Sequence, residues 1–575
     1  MAASPSPSLS VRGTADHTFD AIVIGSGISG GWAAKELCER GLRTLVLERG
    51  RDVKHLADYP TALKNPWDFP HRGRMPAAFV KENPIAKRCY ALDEATQHFF
   101  VKDAEHPYVQ EKPFDWIRGY QVGGKSLIWA RQTQRWSRFD FEGPARDGFA
   151  DWPITYDELA PWYSHVERFV GISGNRDGLE TLPDGEFLPA WEMNDVEKHV
   201  RGKIMAAFPD RPVVQGRCAH LTAPQPHHLA LGRGKCQARN LCYRGCPFGA
   251  YFSSNSATLP AAATTGRLTV RPHSVVESVL VDASTGRARG VRVVDAATKT
   301  TTEFFARIVF VNAACLNTNL ILLNSRSARF PAGLGNDHGL LGRYVAFHNY
   351  RGSITAGMEG FADSYYSGRR PTQLMMPNFR NVRKQETDFL RGYMIFFGAS
   401  RPGWTQGHAA TGVGAAFKDR ITRPGPWAIS MMMQGETVPR LENHVRLSTE
   451  KKDAWGIPQL VTSIGYTDND EKLFRDFHAR GEEMLAAAGA TRIAKHDSKQ
   501  APGLDIHEMG GARMGRDPKA SLLNKWNQLH ACPNVFVTDG ACMASTGVQN
   551  PSLTFMALTA RAADHAVDEM KKGNL

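Results

Sequence analysis

The sequence predicts an α/β protein, α+β overall, in which a parallel sheet wound with helices packs beside a second domain built on a largely antiparallel sheet. Three observations predict this. The chain has 575 residues, more than one hydrophobic core usually holds, so two intimately packed domains are expected. Near its start a short apolar strand, 19–25, runs into a glycine turn. A helix over 30–40 follows, ended by Gly41, and then a second apolar strand at 44–48. That is one βαβ unit, which implies parallel strands with helices on their faces. The chain returns to the same style at its end, with a strand at 534–540 and a helix over 551–570.

The middle is less regular. Residues 60–110 are rich in Pro, His and aromatics without a period, and read as a long excursion covering something. A helix is expected within 150–170. Two β runs, 268–282 and 289–295, flank the turn Ala283–Gly286, and a third follows at 308–311. From about 345 to 500 strand-like and loop segments alternate, including the apolar run 427–433, and a ligand-facing sheet is expected there.

Composition excludes several classes. Hydrophobic residues at 42% and charged residues at 22% are ordinary for a globular protein. The net charge of +12 is spread out, with no basic run longer than pairs such as Arg369-Arg370 or Lys451-Lys452. A basic stripe interleaved with aromatics is missing, so no nucleic-acid partner is expected. No segment approaches the ~18–20 consecutive apolar residues of a membrane helix. Residues 1–10 form a polar tail without the charged and apolar regions of a signal peptide, and no export signal is expected. Nine cysteines in a chain this long are not a disulfide scaffold.

Gly25, Gly27 and Gly30 form a GxGxxG. Alone it is weak; here it follows a strand, opens a helix and is answered by Glu48 at the end of the next strand, 48 − 25 = 23 residues on. Glycines there let backbone amides approach a pyrophosphate at a helix N-terminus, and the acid accepts from ribose hydroxyls. An acid at 48 also argues against a 2′-phosphate.

Residues 19–50, with GYQVGGKSLIWARQTQRW (119–136), IHEMGGARMG (506–515) and the stretch 534–563, resemble in content and order the glucose-methanol-choline (GMC) oxidoreductases. Within them the chain resembles the bacterial FAD-dependent glucoside 3-dehydrogenase and pyranose oxidase-like branch. The resemblance implies FAD in a discontinuous domain of 18–60, 115–140, 255–345 and 503–575. Residues 61–114, 141–254 and 346–502 would supply the substrate domain and covering segments, among them a Cys-rich loop at 232–250. It places Val122, Gly123, Gly124 and Ser126 in the flavin loop, Arg49 beside Glu48, Val276 at the adenine, Asp539 and Gly540 by the ribityl-phosphate, and Asn550, Pro551 and Ser552 against the flavin. Where some relatives carry a flavin-linked His, this chain has Ile128, which cannot form the bond; the FAD is expected to be non-covalent.

Oxidising an alcohol needs a base for the hydroxyl proton, and histidine is the usual one. Among 20 histidines, His507 opens the segment matching the family's catalytic motif. Asn550 is the partner position and would orient the substrate hydroxyl. Glu508 reads as a turn residue or one that supports the site from behind, in preference to a catalytic acid. Trp67, Tyr90, His98, Trp129 and Trp136 are candidates for stacking on sugar rings, or equally for ordinary packing.

Cys236, Cys242 and Cys246 form a C-x5-C-x3-C-P run with three readings. They are free thiols; or zinc ligands with His220, His227 or His228 as the fourth; or, as the resemblance implies, ligands of a [3Fe-4S] cluster. The expected function is oxidation of a ring hydroxyl of a sugar or glycoside, at C3 by resemblance. The acceptor would be a cytochrome, a quinone or O2, with a dehydrogenase favoured over an oxidase. A small partner subunit belongs to the resemblance. The location would be cytoplasmic for the chain alone and periplasmic if co-exported with that subunit.

Overall fold

A computed structural model describes residues 17–364, 372–402 and 411–575; the tail 1–10 and the pair Arg369-Arg370 lie outside the described residues. The first strand, Thr18–Ile24, lies between Thr44–Leu47 and Thr301–Val311 and pairs with both in parallel. Leu268–Arg271 and Cys532–Phe536 extend the sheet in parallel on either side. These strands read as nearly continuous apolar runs, since helices cover the faces of a parallel sheet. Helix Ile28–Glu39 packs against the last helix, Ser552–Lys571. Their Ala33, Ala34, Leu37, Ala562, Ala563 and Ala566 share one core with Val23, Ile308 and Phe310; small residues let the helices lie close.

The expected β run at 268–282 is two strands, Leu268–Arg271 and Ser274–Val281. Pro272 separates them, having no N–H to give a ladder, and His273 takes φ +54°. The strand expected at 308–311 is the end of an eleven-residue strand, Thr301–Val311. That strand, Ala288–Asp295 and Ser274–Val281 form an antiparallel meander.

The other half is an antiparallel seven-stranded sheet centred on Gly352–Met358, Tyr393–Ser400 and Trp427–Glu436. The expectation of strands and loops alone over 345–500 is corrected here. Asp468–Ala487 is a twenty-residue helix lying on this sheet, opened by a capping box between Thr467 and Asp470. Its Leu473, Phe477, Met484 and Leu485 are buried in that half's core. A five-stranded sheet contains Arg343–Ala346 and Met509–Gly511, paired antiparallel. A cavity of about 770 Å³ is lined by residues of both halves, from the Gly25 turn to His507 and Asn550.

Candidate active site

At one end of the cavity stands the glycine turn. Gly25 has φ +93°, and a Cβ there would lie 2.3 Å from the Asn312 carbonyl oxygen. A Cβ on Gly30 would sit 1.9 Å from the Gly25 carbonyl oxygen, so this glycine serves helix–turn packing and does not line the cavity. Around Gly27 there is open space, and it caps helix Ile28–Glu39 with no side-chain capping bond. The first-turn N–H groups and the helix dipole therefore favour an anion. Glu48 braces the turn: its carboxylate accepts from the Ser26 hydroxyl at 2.6 Å, the Ser26 amide at 3.2 Å and the Gly50 amide at 2.9 Å. Arg49 lines the cavity, with its guanidinium 4.3 Å from the Tyr120 ring centroid.

Of the loop at 122–126, Gly124 and Ser126 line the cavity; Val122 and Gly123 do not. Val122 is buried in the core under the parallel sheet. Gly123, at φ +91°, abuts Asn255 and donates its N–H to the Ser26 hydroxyl at 2.9 Å. Ile128, Val276, Asp539, Gly540 and Ser552 all line the cavity, whereas Pro551 stands behind it as the N-cap of the last helix. Asp539 accepts from the Thr318 hydroxyl at 2.6 Å and the Ala541 amide at 2.9 Å, and burial raises its pKa to about 6.

At the other end, Asn550 Nδ2 stands 3.4 Å from His507 Nε2. Beside them lies His348, a residue the sequence did not single out, with Nδ1 2.9 Å from Nδ1 of His507. Asp505 ties the two together: one carboxylate oxygen accepts the His348 amide at 2.8 Å and the His507 amide at 3.3 Å. Between Asp505 and His507, Ile506 adopts φ +65°, a left-handed conformation that costs a β-branched residue about 1–3 kcal/mol. Glu508 accepts from Lys125 Nζ at 3.2 Å. Burial drives the pKa of His507 well below the usual value, with His348 and Lys125 adding to it. His348 falls to about 4 by burial, and Asp505 rises to about 7 by burial. At neutral pH both imidazoles are uncharged.

The remaining wall is polar and aromatic. Of the five aromatic and histidine candidates, Tyr90 and Trp129 line the cavity. The other three do not. Trp136 is fully buried against Phe141 and Trp152, Trp67 is 57% exposed on the outer surface, and His98 lies against Phe99. Arg88, Arg131, Gln132, Tyr243, Tyr350 and Gln373 also face the cavity. They come from separated segments, and no local pattern marks them.

The cysteine loop adjoins this wall through Tyr243. Cys236, Cys242 and Cys246 are half-buried free thiols. Burial, joined by the neighbouring Cys242 and Cys246, pushes Cys236 up to about 12. Of the three expected fourth ligands only His220 approaches, its Nε2 3.8 Å from Cys242 Sγ. His227 bonds the Arg168 carbonyl oxygen and His228 the Gln225 amide. Ligands of one zinc ion stand about 3.8 Å apart. Among the described residues the only His, Cys, Asp or Glu trio whose polar atoms all lie within 4.8 Å is His348, Asp505 and His507. The thiols are therefore more widely spaced than a single zinc ion requires.

The cavity fits a dinucleotide with a ring system at its far end. It joins an anion-favouring turn to the histidine pair, and among the described residues Arg49 Nε, Asn312 Nδ2 and Asn550 Oδ1 are buried there without partners. Comparison with known proteins agrees. A solved structure of formate oxidase from Aspergillus oryzae, from a study of FAD modification, has the same fold at 15% identity, with a TM-score of 0.60 over 97% of this chain and 100% of that one. The chain is 29% identical to 2-methyl-1,2-propanediol dehydrogenase of Mycolicibacterium austroafricanum, over 96% of this chain and 95% of that one. It is 27% identical to the fructose dehydrogenase large subunit of Gluconobacter japonicus, over 96% and 98%. The two GMC oxidoreductase family models match residues 19–348 and 439–559, and the chain therefore belongs to the GMC oxidoreductases, FAD-dependent enzymes acting on the CH–OH groups of alcohols and sugars.

Proposed function

We propose that this enzyme oxidises a ring hydroxyl of a sugar or glycoside to a ketone, with His507 as the base and Asn550 orienting the hydroxyl. The carrying observation is the pair itself, Asn550 Nδ2 at 3.4 Å from His507 Nε2, at the end of a cavity that begins at the glycine turn. The bound flavin supplies the acceptor for the two electrons of the C–H bond. Gly25, Gly27, Glu48, Arg49, Gly124, Ser126, Val276, Asp539, Gly540 and Ser552 would hold it, with Val122, Gly123, Gly30 and Pro551 shaping the turns behind them. Ile128 in the cavity wall supports non-covalent binding, since it offers no nucleophile.

A polyhydroxylated substrate suits the wall, where Arg88, Gln132, Tyr243 and Gln373 offer hydrogen bonds and Tyr90 and Trp129 offer ring faces. Both relatives are named for substrates with neighbouring oxygens, a 1,2-diol and fructose. Position C3 rests on the resemblance to the glucoside 3-dehydrogenase branch. Cys236, Cys242 and Cys246 would hold a [3Fe-4S] cluster, which would supply one-electron transfer to an acceptor, and this favours a dehydrogenase. Arg233, fully buried, bonds the carbonyl oxygens of Val170 and Gly249, and its cation would offset the negative charge of a thiolate-held cluster. A cytochrome or quinone would then accept the electrons, and a small subunit would accompany the chain, which in that case works in the periplasm. The test is a panel of aldopyranoses, glucosides, diols and long-chain alcohols, assayed with an artificial dye with and without oxygen. Faster turnover of an apolar alcohol than of any sugar would overturn the substrate class. Brisk peroxide formation would replace the dehydrogenase with an oxidase.

A further inference from the structure

His348 is fully buried and lies in no motif that marks it. It sits on the short strand His348–Asn349, paired with Gly435 and Glu436 of the antiparallel sheet, whereas His507 precedes Met509–Gly511 of another sheet. Fold topology thus brings two imidazoles together across 159 residues of sequence. On its far side, His348 Nε2 lies 2.9 Å from the Gly547 carbonyl oxygen and 3.2 Å from that of Thr546. Carbonyl oxygens only accept, so Nε2 of His348 carries the hydrogen. A neutral imidazole has one N–H, which leaves Nδ1 of His348 with a bare lone pair. The 2.9 Å contact then requires His507 Nδ1–H as its donor, and Nε2 of His507 is left unprotonated. The Asn550 amide, an obligate donor through Nδ2, faces that nitrogen at 3.4 Å, which the assignment requires.

Resting on the reading of His507 as the base, we propose that His348 is its positioning residue: by accepting Nδ1–H it fixes the tautomer of His507 and aims the Nε2 lone pair at the substrate hydroxyl. When Nε2 takes the hydroxyl proton His507 becomes an imidazolium, and the flavin, when bound, would supply the acceptor for the hydride. The Nδ1–H of His507 still points at a neutral acceptor, and the buried Asp505 carboxylate lies within 4.8 Å of both rings. In hydrolase triads a carboxylate holds the tautomer. Here an imidazole does so, while the carboxylate is engaged with the backbone amides of both histidines and fixes their separation. The chain of bonds runs from the Gly547 carbonyl through His348 and His507 to the substrate, and Gly547 lies three residues before Asn550. One segment, 547–550, therefore anchors both ends of the base.

Two variants separate this role from packing. His348→Asn places an amide oxygen where Nδ1 stands and keeps the acceptor, but loses the donor to Gly547. His348→Gln keeps a donor toward Gly547 and loses the acceptor at the Nδ1 position. Flavin reduction by sugar is measured in the stopped flow, per bound flavin and over a range of pH. His348→Asn is expected to stay within about tenfold of the parent. His348→Gln should lose about 10²–10⁴-fold, the range of general-base and wrong-tautomer defects, with KM little changed. Equal losses, or the reverse order, would overturn the proposal, since packing against Gly547 favours the Gln variant. If His507→Ala also reduces its flavin at the parental rate, the base reading itself fails; if only His507→Ala is inactive, the positioning role alone fails. The unsubstituted holoenzyme gives an independent reading: a far-downfield, exchange-protected imidazole proton that His507→Ala abolishes. Absence of that proton would likewise overturn the proposal.

Discussion

The side-chain amide of Asn550 faces Nε2 of His507 at 3.4 Å, and the roles of the two differ in kind. The imidazole can take a proton; the amide can only hold and orient. His507→Ala is expected to lower flavin reduction by about 10²–10⁴-fold, the usual worth of a general base, with FAD still bound. Asn550→Ala should cost less, because it loses orientation without losing proton transfer. Rapid-mixing measurements of flavin bleaching by substrate rank the two, and a larger loss for Asn550→Ala would reverse the assignment.

The pH dependence carries a sign. Burial holds the pKa of His507 well below its ordinary value of 6.5, so the neutral, competent form dominates above that pH and is lost only on acidification. Flavin reduction should therefore be flat from about pH 7 to 8 and fall on the acid side, with its midpoint below ~6.5. A rising limb centred above the ordinary histidine value would show that a different group titrates.

Gly25→Ala should yield protein without flavin. Its φ of +93° is strained for any L side chain, and the new methyl would lie 2.3 Å from the Asn312 carbonyl oxygen. Gly27→Ala tests a different demand, since its methyl would meet no protein atom within 4 Å, so flavin lost there reports the close approach of the ligand to the turn. Absorbance of the purified variants at the flavin bands gives the answer; a Gly25→Ala protein with a full flavin complement would mean the turn can relax.

These two glycines show how much was legible in the chain. The βαβ unit and its turn are short-range features, written in an apolar run and glycine spacing, and the structure has them within two residues of expectation. His507 and Asn550 were readable because each sits in a local motif. His348 was not, for its place in the site comes from pairing with Gly435 and Glu436 and not from its neighbours. Trp136 shows the opposite error: residue type says that an indole wants burial, not whether the cavity or the core will supply it. The helix Asp468–Ala487 is written locally too, since Thr467 and Asp470 form its capping box and Leu473, Phe477 and Met484 follow at helical spacing.

Flavin attachment can be tested without a variant. Ile128 lines the cavity, and its hydrocarbon side chain forms no bond to a flavin. Acid precipitation should leave the yellow colour in the supernatant. Colour retained in the pellet would require another attachment residue.

The last prediction concerns where the electrons go. A flavin receives two electrons from a C–H bond, while cytochromes accept one at a time, so a one-electron centre near the flavin would resolve the mismatch. Tyr243 lines the cavity and follows Cys242 directly, which places the thiol loop against the wall of the site. The loop's cysteines are only half-buried, so a centre held there would also lie near the surface from which a partner could draw electrons. Arg233 is buried at its inner side, held at a pKa of about 9 by burial, and a negatively charged cluster would offset that cation. Lys235 is exposed at the outer side, where it could meet an acidic partner. Anaerobically purified enzyme is therefore expected to contain iron and acid-labile sulfide and to give a paramagnetic signal when oxidised. Cys242→Ser should lose that iron and transfer electrons poorly to a cytochrome or quinone, while sugar still bleaches its flavin at near the parental rate. A full flavin complement with no iron, no signal and rapid peroxide production would instead make the loop a set of structural thiols and the enzyme an oxidase.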